Sequence, residues 1–287
     1  MIAIEQPQIP LTPDVFKLLR DMLHEHCGVW LDEQAKFLVE GRLQETLRRL
    51  RFSGFKEFYY FLKYDARGAD EFAVIVDLLT IHETYFFRED HQLYALQREI
   101  LPELARRRTD RVLRIWSAGS STGEEAYSVA MLLAGQPEYA DWRIEIVASD
   151  ISQRVLEVAR RGVYPASAFR TTPPDYRSRF FHAEPDGFRI DDSIKRMVSF
   201  FSFNLADAER AALLPKMDVI LCRNVIIYFD LAVKKRVIEM FWNRLRPGGF
   251  LLLGHSESLI NISTAFNLRH LRHDIVYQKE ERISAAA

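Results

Sequence analysis

Beyond Arg111, short apolar runs take turns with amphipathic stretches, and this alternation restricts the fold more than any other feature of the chain. Residues 112–116, 144–148, 217–222 and 250–253 read as strands, and 124–134, 152–161 and 231–245 as helices. A helix between two strands returns the chain to the same end of a sheet, so the strands it joins lie parallel. The expectation is an α/β fold: a mostly parallel sheet with helices on both faces, closed by a last strand at 274–277. Ligands of such sheets bind outside the carboxyl ends of the strands, where the strand order reverses. The alternation fails between 162 and 198. That stretch holds Pro165, Pro173, Pro174 and Pro185, with a hairpin over 180–190 turning at Pro185-Asp186-Gly187, and it reads as a small antiparallel β insertion.

The first ~75 residues follow a helical period instead. Thr12-Pro13-Asp14 is a start signal, with Thr12 as a cap, and Val15, Leu18, Leu19, Met22 and Leu23 follow at spacings that put them on one face. Further helices are expected over 33–51, 56–64 and 70–79. The domain reading is an all-α unit over 1–80, a linker and connecting helix over 81–110, and the sheet domain over 111–287 with 162–198 inserted. The terminal Ser-Ala-Ala-Ala reads as a frayed end.

Charge and composition narrow the function. With 39 Lys+Arg against 40 Asp+Glu, the chain has no overall field to hold a nucleic acid, so no nucleic-acid partner is expected. Cys27 and Cys222 form no paired framework. His24, His26 and Cys27 are crowded but lack a second cluster at ligand spacing, so no metal is expected. No run approaches the ~20 apolar residues of a membrane span, and the N-terminal segment lacks a basic stretch followed by an apolar core. A cytoplasmic protein without membrane insertion is expected.

Three places in the sheet domain carry possible chemistry. Residues 116–128, WSAGSSTGEEAYS, follow a strand and open a helix. Gly119 and Gly123 allow a ligand to approach the backbone, while Glu124 and Glu125 would repel a phosphate and suit a cation. A tight turn whose acids complement the helix dipole fits the same residues. Asp150 ends the second strand, where an acid can accept hydrogen bonds from ribose hydroxyls or cap a helix starting at Ile151. Asn204, after Phe200-Phe-Ser-Phe203, could bind a base edge. Arg223-Asn224 ends a buried strand, and such a pair is costly there unless satisfied by a ligand or by a core acid.

In this order and spacing, HETYFFRE, WSAGSSTGEEAYS, ASD, FNL, CRNVIIYFD and GHSESL resemble the CheR family, the chemotaxis receptor glutamate O-methyltransferases, over about residues 12 to 280. The resemblance implies a class I S-adenosylmethionine-dependent methyltransferase fold, Rossmann-like, with an all-α N-terminal domain and a small antiparallel insertion. It implies S-adenosylmethionine as cofactor, S-adenosylhomocysteine as product, and glutamates of a chemoreceptor cytoplasmic domain as substrate. By motif position, the cofactor contacts would be His82, Thr84 and Arg88, Glu125, Asp150 at the ribose, Asn204 and Leu205 at the adenine, and Arg223 and Asn224 at the methionine end. Arg88 and Tyr228 are the expected groups beside the methyl and the incoming carboxylate. No general base is expected, because a glutamate with a pKa of about 4.3 is already ionised at neutral pH.

The chain departs from the family pattern in places. His82 stands where Asn is usual, and an imidazole charged near neutral pH would disfavour a sulfonium. That departure is the one feature favouring a cofactor-binding adaptor with little turnover. Ser120 and Ala126 stand where Cys and Pro are common. Over 42–56, Arg42, Arg48, Arg49, Arg51 and Lys56 face one acid, Glu45. That basic run fits a docking surface for an acidic receptor, or an ordinary solvated helix face. The loop 182–187 is short with one Gly, which suits a form independent of a receptor tail tether. A monomer is expected.

Overall fold

The computed structural model describes residues 8–280, so the terminal Ser-Ala-Ala-Ala and the first seven residues lie outside the described residues. The chain divides into two compact units, Met1–Ile81 and His82–Ala287.

In the first unit, α1 (Pro13–Cys27) starts with Pro at its first position, Asp14 in its first turn and Thr12 in the extended N-cap conformation. The Thr12 side chain makes no cap hydrogen bond; only its carbonyl is used, by the Phe16 N–H. The helix stops at Gly28, whose left-handed φ of 76° turns its N–H onto the His24 carbonyl. Next come α2 (Lys36–Leu50), entered through a single 3-10 turn that Asp32 caps, α3 (Phe55–Tyr64) and α4 (Gly68–Leu79). Leu19, Leu23, Leu43, Leu47, Phe58, Ile75 and Val76 are buried, the repeating face expected of packed helices. Leu18, expected on that face, is instead 40% exposed.

The basic run on α2 divides once folded. Arg42 is half-buried, and its Nη1 donates to the Leu78 carbonyl (2.8 Å) and the Thr80 carbonyl (3.3 Å). It therefore satisfies the carbonyl end of α4 rather than facing a partner, and it leaves the docking set. Arg49 is paired with Glu71. Arg48, Arg51 and Lys56 are exposed. His24 and His26 are edge-on to the rings of Trp30 and Phe72 at 5.3 and 5.0 Å.

The second unit opens with α5 (Asp90–Ala95), a turn of π-helix, and α6 (Leu101–Arg107). Leu93, Leu96, Ile100 and Leu104 along this stretch are buried in the same core as the sheet. There follow β1 (Val112–Ala118), α7 (Glu124–Ala134), β2 (Arg143–Asp150), α8 (Gln153–Arg161), β3 (Val163–Tyr164), α9 (Pro174–Phe180), β4 (Phe181–Glu184), β5 (Gly187–Ile190), α10 (Asp192–Lys195) and β6 (Val198–Ser202). The chain then adds β7 (Met217–Cys222), α11 (Leu231–Arg244), β8 (Leu245–Leu253), β9 (Phe266–His270) and β10 (Ile275–Lys279).

Seven strands form one sheet in the order β6-β2-β1-β7-β8-β10-β9. The first five run parallel, and β10 is antiparallel to both β8 and β9. Every residue of β7 is buried, as a central parallel strand covered on both faces requires. The small sheet β3-β5-β4 is antiparallel, with β4 and β5 joined by Pro185-Asp186. The chain builds outward from β1 through β2 to β6, then crosses to β7 on the other side of β1. The order therefore reverses between β1 and β7, and their carboxyl ends mark the ligand crevice.

Candidate active site

At the end of β1 the chain turns sharply. Gly119 has φ of +82°, and a Cβ there would lie 2.5 Å from Val225 Cγ2, so this position needs glycine for both conformation and space. The N–H groups of Gly119 and Ser120 both donate to the Ser149 carbonyl at 2.8 Å, which ties the turn to the end of β2. The Ser121 N–H donates to Asp150 Oδ2 (2.8 Å), and the Ser152 N–H to Asp150 Oδ1 (3.0 Å). Asp150 thus joins the Gly-rich turn to the start of the next helix. It is not that helix's cap: α8 begins at Gln153, and Ser152 Oγ caps it.

The two acids of the turn have different fates. Glu124 is buried, its Oε2 accepts from Thr122 Oγ1 at 2.6 Å, and burial pushes its carboxyl up to about 7. Only Glu125 meets the strand ends, accepting from Ser117 Oγ (2.7 Å) and from Arg223 Nη1 (3.2 Å). A helix rotates about 100° per residue, so neighbouring acids reach different surroundings.

Arg223, with a side chain 3% exposed, lies between two carboxylates. Beyond Glu125, its Nη2 donates to the carbonyls of Arg88 and Glu89 and to Glu89 Oε2 (3.3 Å). Glu89 also accepts from Asn224 Nδ2 and the His255 N–H, each at 3.2 Å. Burial alone would raise the Glu89 carboxyl. The Arg223 charge and these hydrogen bonds outweigh it and hold Glu89 below its ordinary value. Of the two readings open from sequence, a ligand or an acid to satisfy Arg223, the structure shows the acids, Glu125 and Glu89. Glu89 ends a motif legible in the sequence, HETYFFRE, yet nothing along the chain announced its partners.

Arg88 Nη1 donates to the Glu83 carbonyl (2.6 Å), and its guanidinium lies 5.7 Å from the Tyr85 ring centre. Tyr228 ends a one-turn 3-10 helix, Ile226–Tyr228, and is half-buried. Burial raises its hydroxyl pKa, the Arg88 charge opposes that, and Glu257 and Glu83 add to it. Arg88 and Tyr228 therefore occupy one neighbourhood. The His82 carbonyl accepts from Ser121 Oγ (3.0 Å), which brings the 82–88 segment against the Gly-rich turn; Thr84 lies within it, half-buried. Phe203, just past β6, donates its N–H to the Asp150 carbonyl (3.0 Å), so the chain reaches Asn204 and Leu205 from beside the end of β2. The Asn204 side chain accepts from the Ala206 N–H, and Leu205 is buried.

Three acids against one buried guanidinium suit a cationic ligand more than an anionic one. The crevice offers the acids Asp150, Glu125 and Glu89 with one buried guanidinium, and Gly119 gives the backbone close approach. Ser120 Oγ and Arg223 Nε are buried and have no hydrogen-bond partner among the described residues. A cleft of about 310 Å³ beside the Tyr228 turn is lined by Ile227, Leu231, Lys234 and Ile260.

Residues 82–275 match the family described as "CheR methyltransferase, SAM binding domain", and residues 14–80 match "CheR methyltransferase, all-alpha domain". The chain is 34% identical to "Chemotaxis protein methyltransferase 2" of Vibrio cholerae, covering 96% of both chains. It is 39% identical to "Probable chemotaxis protein methyltransferase" of Rhizobium etli, over 82% of this chain and 89% of that one. A "Chemotaxis protein methyltransferase 2" of Pseudomonas aeruginosa is 38% identical, over 88% and 89%.

Proposed function

The chain belongs to the CheR methyltransferase family, and from that premise we propose how its site carries out the transfer. The protein is an S-adenosylmethionine-dependent methyltransferase of chemoreceptors. Its product on the receptor is a glutamyl γ-methyl ester, with S-adenosylhomocysteine released. The observation that carries the residue assignment is Arg223, fixed between Glu125 and Glu89 at the carboxyl end of a central strand.

When bound, the cofactor supplies a methyl group made electrophilic by its sulfonium. Asp150 would accept from the ribose hydroxyls, and Asn204 and Leu205 would flank the adenine. Glu125, Arg223 and Asn224 would hold the ammonium and carboxylate of the methionine end, with His82 and Thr84 lining the same side. Arg88 brings paired N–H donors to the incoming γ-carboxylate. Tyr228, protonated at neutral pH as a phenol of pKa about 10 is, would donate a hydrogen bond that aims it. The carboxylate is ionised at neutral pH, so these groups orient it and exclude water rather than remove a proton.

Arg48, Arg51 and Lys56 form the docking surface for an acidic receptor bundle, where charge steers encounter more than it adds affinity. The two-residue connection between β4 and β5 supports action without a receptor tail tether. Among the described residues no helix is long and apolar enough to cross a membrane; the reading is of a monomer acting in the cytoplasm. Incubation with methyl-labelled cofactor and receptor-bearing membranes tests the chemistry. Label released as methanol by mild base supports the ester, while base-stable label or none overturns it.

A further inference from the structure

Where β7 ends at Cys222 the backbone leaves the sheet. Asn224 takes a left-handed φ of 59°, and one 3-10 turn leads to Tyr228. Backbone N–H groups released from the ladder need other acceptors. One side chain supplies them. Glu257 Oε2 accepts from the Asn224 N–H (2.8 Å) and the Gly254 N–H (2.7 Å), while Oε1 accepts from the Val225 N–H (2.9 Å) and the Ile227 N–H (3.2 Å).

The segment after β8 is shaped to let the carboxylate reach. A Cβ on Gly254 would lie 2.7 Å from Asn224 N and 2.8 Å from Glu257 Oε2, so any other residue would push the two apart. The Glu257 N–H in turn donates to the Gly254 carbonyl at 2.8 Å, closing a tight turn. Only an ionised carboxylate presents two oxygens to four donors; an amide presents one oxygen and sets two donors against the rest. Bonds to the ionised group are also about twice as strong as neutral ones.

We propose that Glu257 is a positioning residue of the transfer reaction: its half-buried carboxylate, accepting from four backbone N–H groups, fixes the 223–228 loop, and with it the Arg223, Asn224 and Tyr228 side chains. The proposal rests on the reading of that loop as part of the active site. Glu257 acts through the loop and makes no contact with the reacting groups itself.

The test combines hydrogen exchange with kinetics on the full chain, comparing wild type with Glu257→Gln. In the variant the amides of Asn224, Val225, Ile227 and Gly254 exchange at least about tenfold faster, while those of Trp116 and Ile220 in the sheet keep their rates. The kcat falls by at least about tenfold, with the receptor KM changed by less than about threefold. A purely structural role would raise exchange across the whole sheet. Unchanged protection at the four amides, or kcat within about twofold of wild type despite their loss of protection, overturns the proposal. Should the Gln variant not fold, Glu257→Asp decides by the same two readouts, since it keeps the charge and withdraws the oxygens by one methylene. If wild type itself forms no base-labile ester, the proposed function fails, and the exchange result still reports what Glu257 holds.

Discussion

Replacing Arg223 with methionine removes one buried cation and leaves Glu125 and Glu89 facing each other across its place. Both carboxylates are largely covered, with side chains 14% and 17% exposed. Breaking a buried pair by removing one partner costs about 3–5 kcal/mol, and partial water access here reduces that to about 2–4 kcal/mol. At 1.4 kcal/mol per factor of ten, the sheet unit should lose about 30- to 700-fold in protection at neutral pH. The sign of the pH dependence follows from Glu89. In wild type its folded pKa is held below the ordinary value, so its stabilising contribution is present at neutral pH and lost as pH falls through that folded pKa. Without Arg223 burial dominates, the folded pKa rises above the unfolded one, and protonation at low pH relieves the penalty. Native-state hydrogen exchange at β1 and β7 amides, wild type against Arg223→Met at pH 7.5 and at pH 5, measures this in the sheet unit alone. The protection ratio should shrink by at least about tenfold at the lower pH. An equal ratio at both pH values would refute the argument that an unpaired carboxylate causes the loss.

Arg88→Ala should cut turnover by more than about tenfold while the sheet keeps its exchange protection, because in the proposed mechanism the Arg88 guanidinium meets the incoming carboxylate; an unchanged rate removes that role. Reversing charge at Arg48 and Lys56 together should raise the receptor KM, more so at low salt, and leave S-adenosylhomocysteine affinity by calorimetry unchanged. Arg42→Ala should do the opposite, lowering the stability of the helical unit by about 1–3 kcal/mol with no effect on the receptor KM, since its donors end α4. Gly119→Ala should weaken cofactor binding at least about tenfold, because its Cβ meets Val225 on the loop that carries Arg223 and Asn224.

The parallel sheet was legible because buried strands leave apolar runs and helices leave a 3.6-residue period, and both signals are local. β9 left no such mark. It pairs only with β10 at the sheet edge, and most of its residues face water, so its sequence, Phe-Asn-Leu-Arg-His, shows no continuous apolar run. Arg42 and Arg48 look alike along the chain. Only the fold decides that the end of α4 lies beside one of them. In the same way Glu125, Asp150 and Arg223 could be singled out as candidate site residues, while Glu89 and Glu257, though inside legible motifs, could not. Their partners lie up to 166 and 33 residues away in sequence, at distances over which periodicity carries no information.

The backbone itself marks the site more sharply than the side-chain motifs do. Among the described residues, seven other than glycine have positive φ, and four of them, Phe87, Glu89, Ser121 and Asn224, belong to the segments that meet at the crevice. Such conformations each cost on the order of 1 kcal/mol or more and persist only where the surroundings impose them. Here each has an imposed partner from another element. The Phe87 N–H donates to Ser128 Oγ at 3.0 Å, Ser121 is held by Asp150, Glu89 by Arg223, and Asn224 by Glu257. Arg223 bonds the Arg88 and Glu89 carbonyls as well as Glu125, so the 82–89 segment and the 223–228 loop are fixed to the Gly-rich turn by the same groups that would face the cofactor. The energy that orders the crevice is thus supplied during folding, by buried charges and N–H bonds remote in sequence. A carboxylate nucleophile that needs no base then requires from the protein chiefly a cavity whose shape is already set.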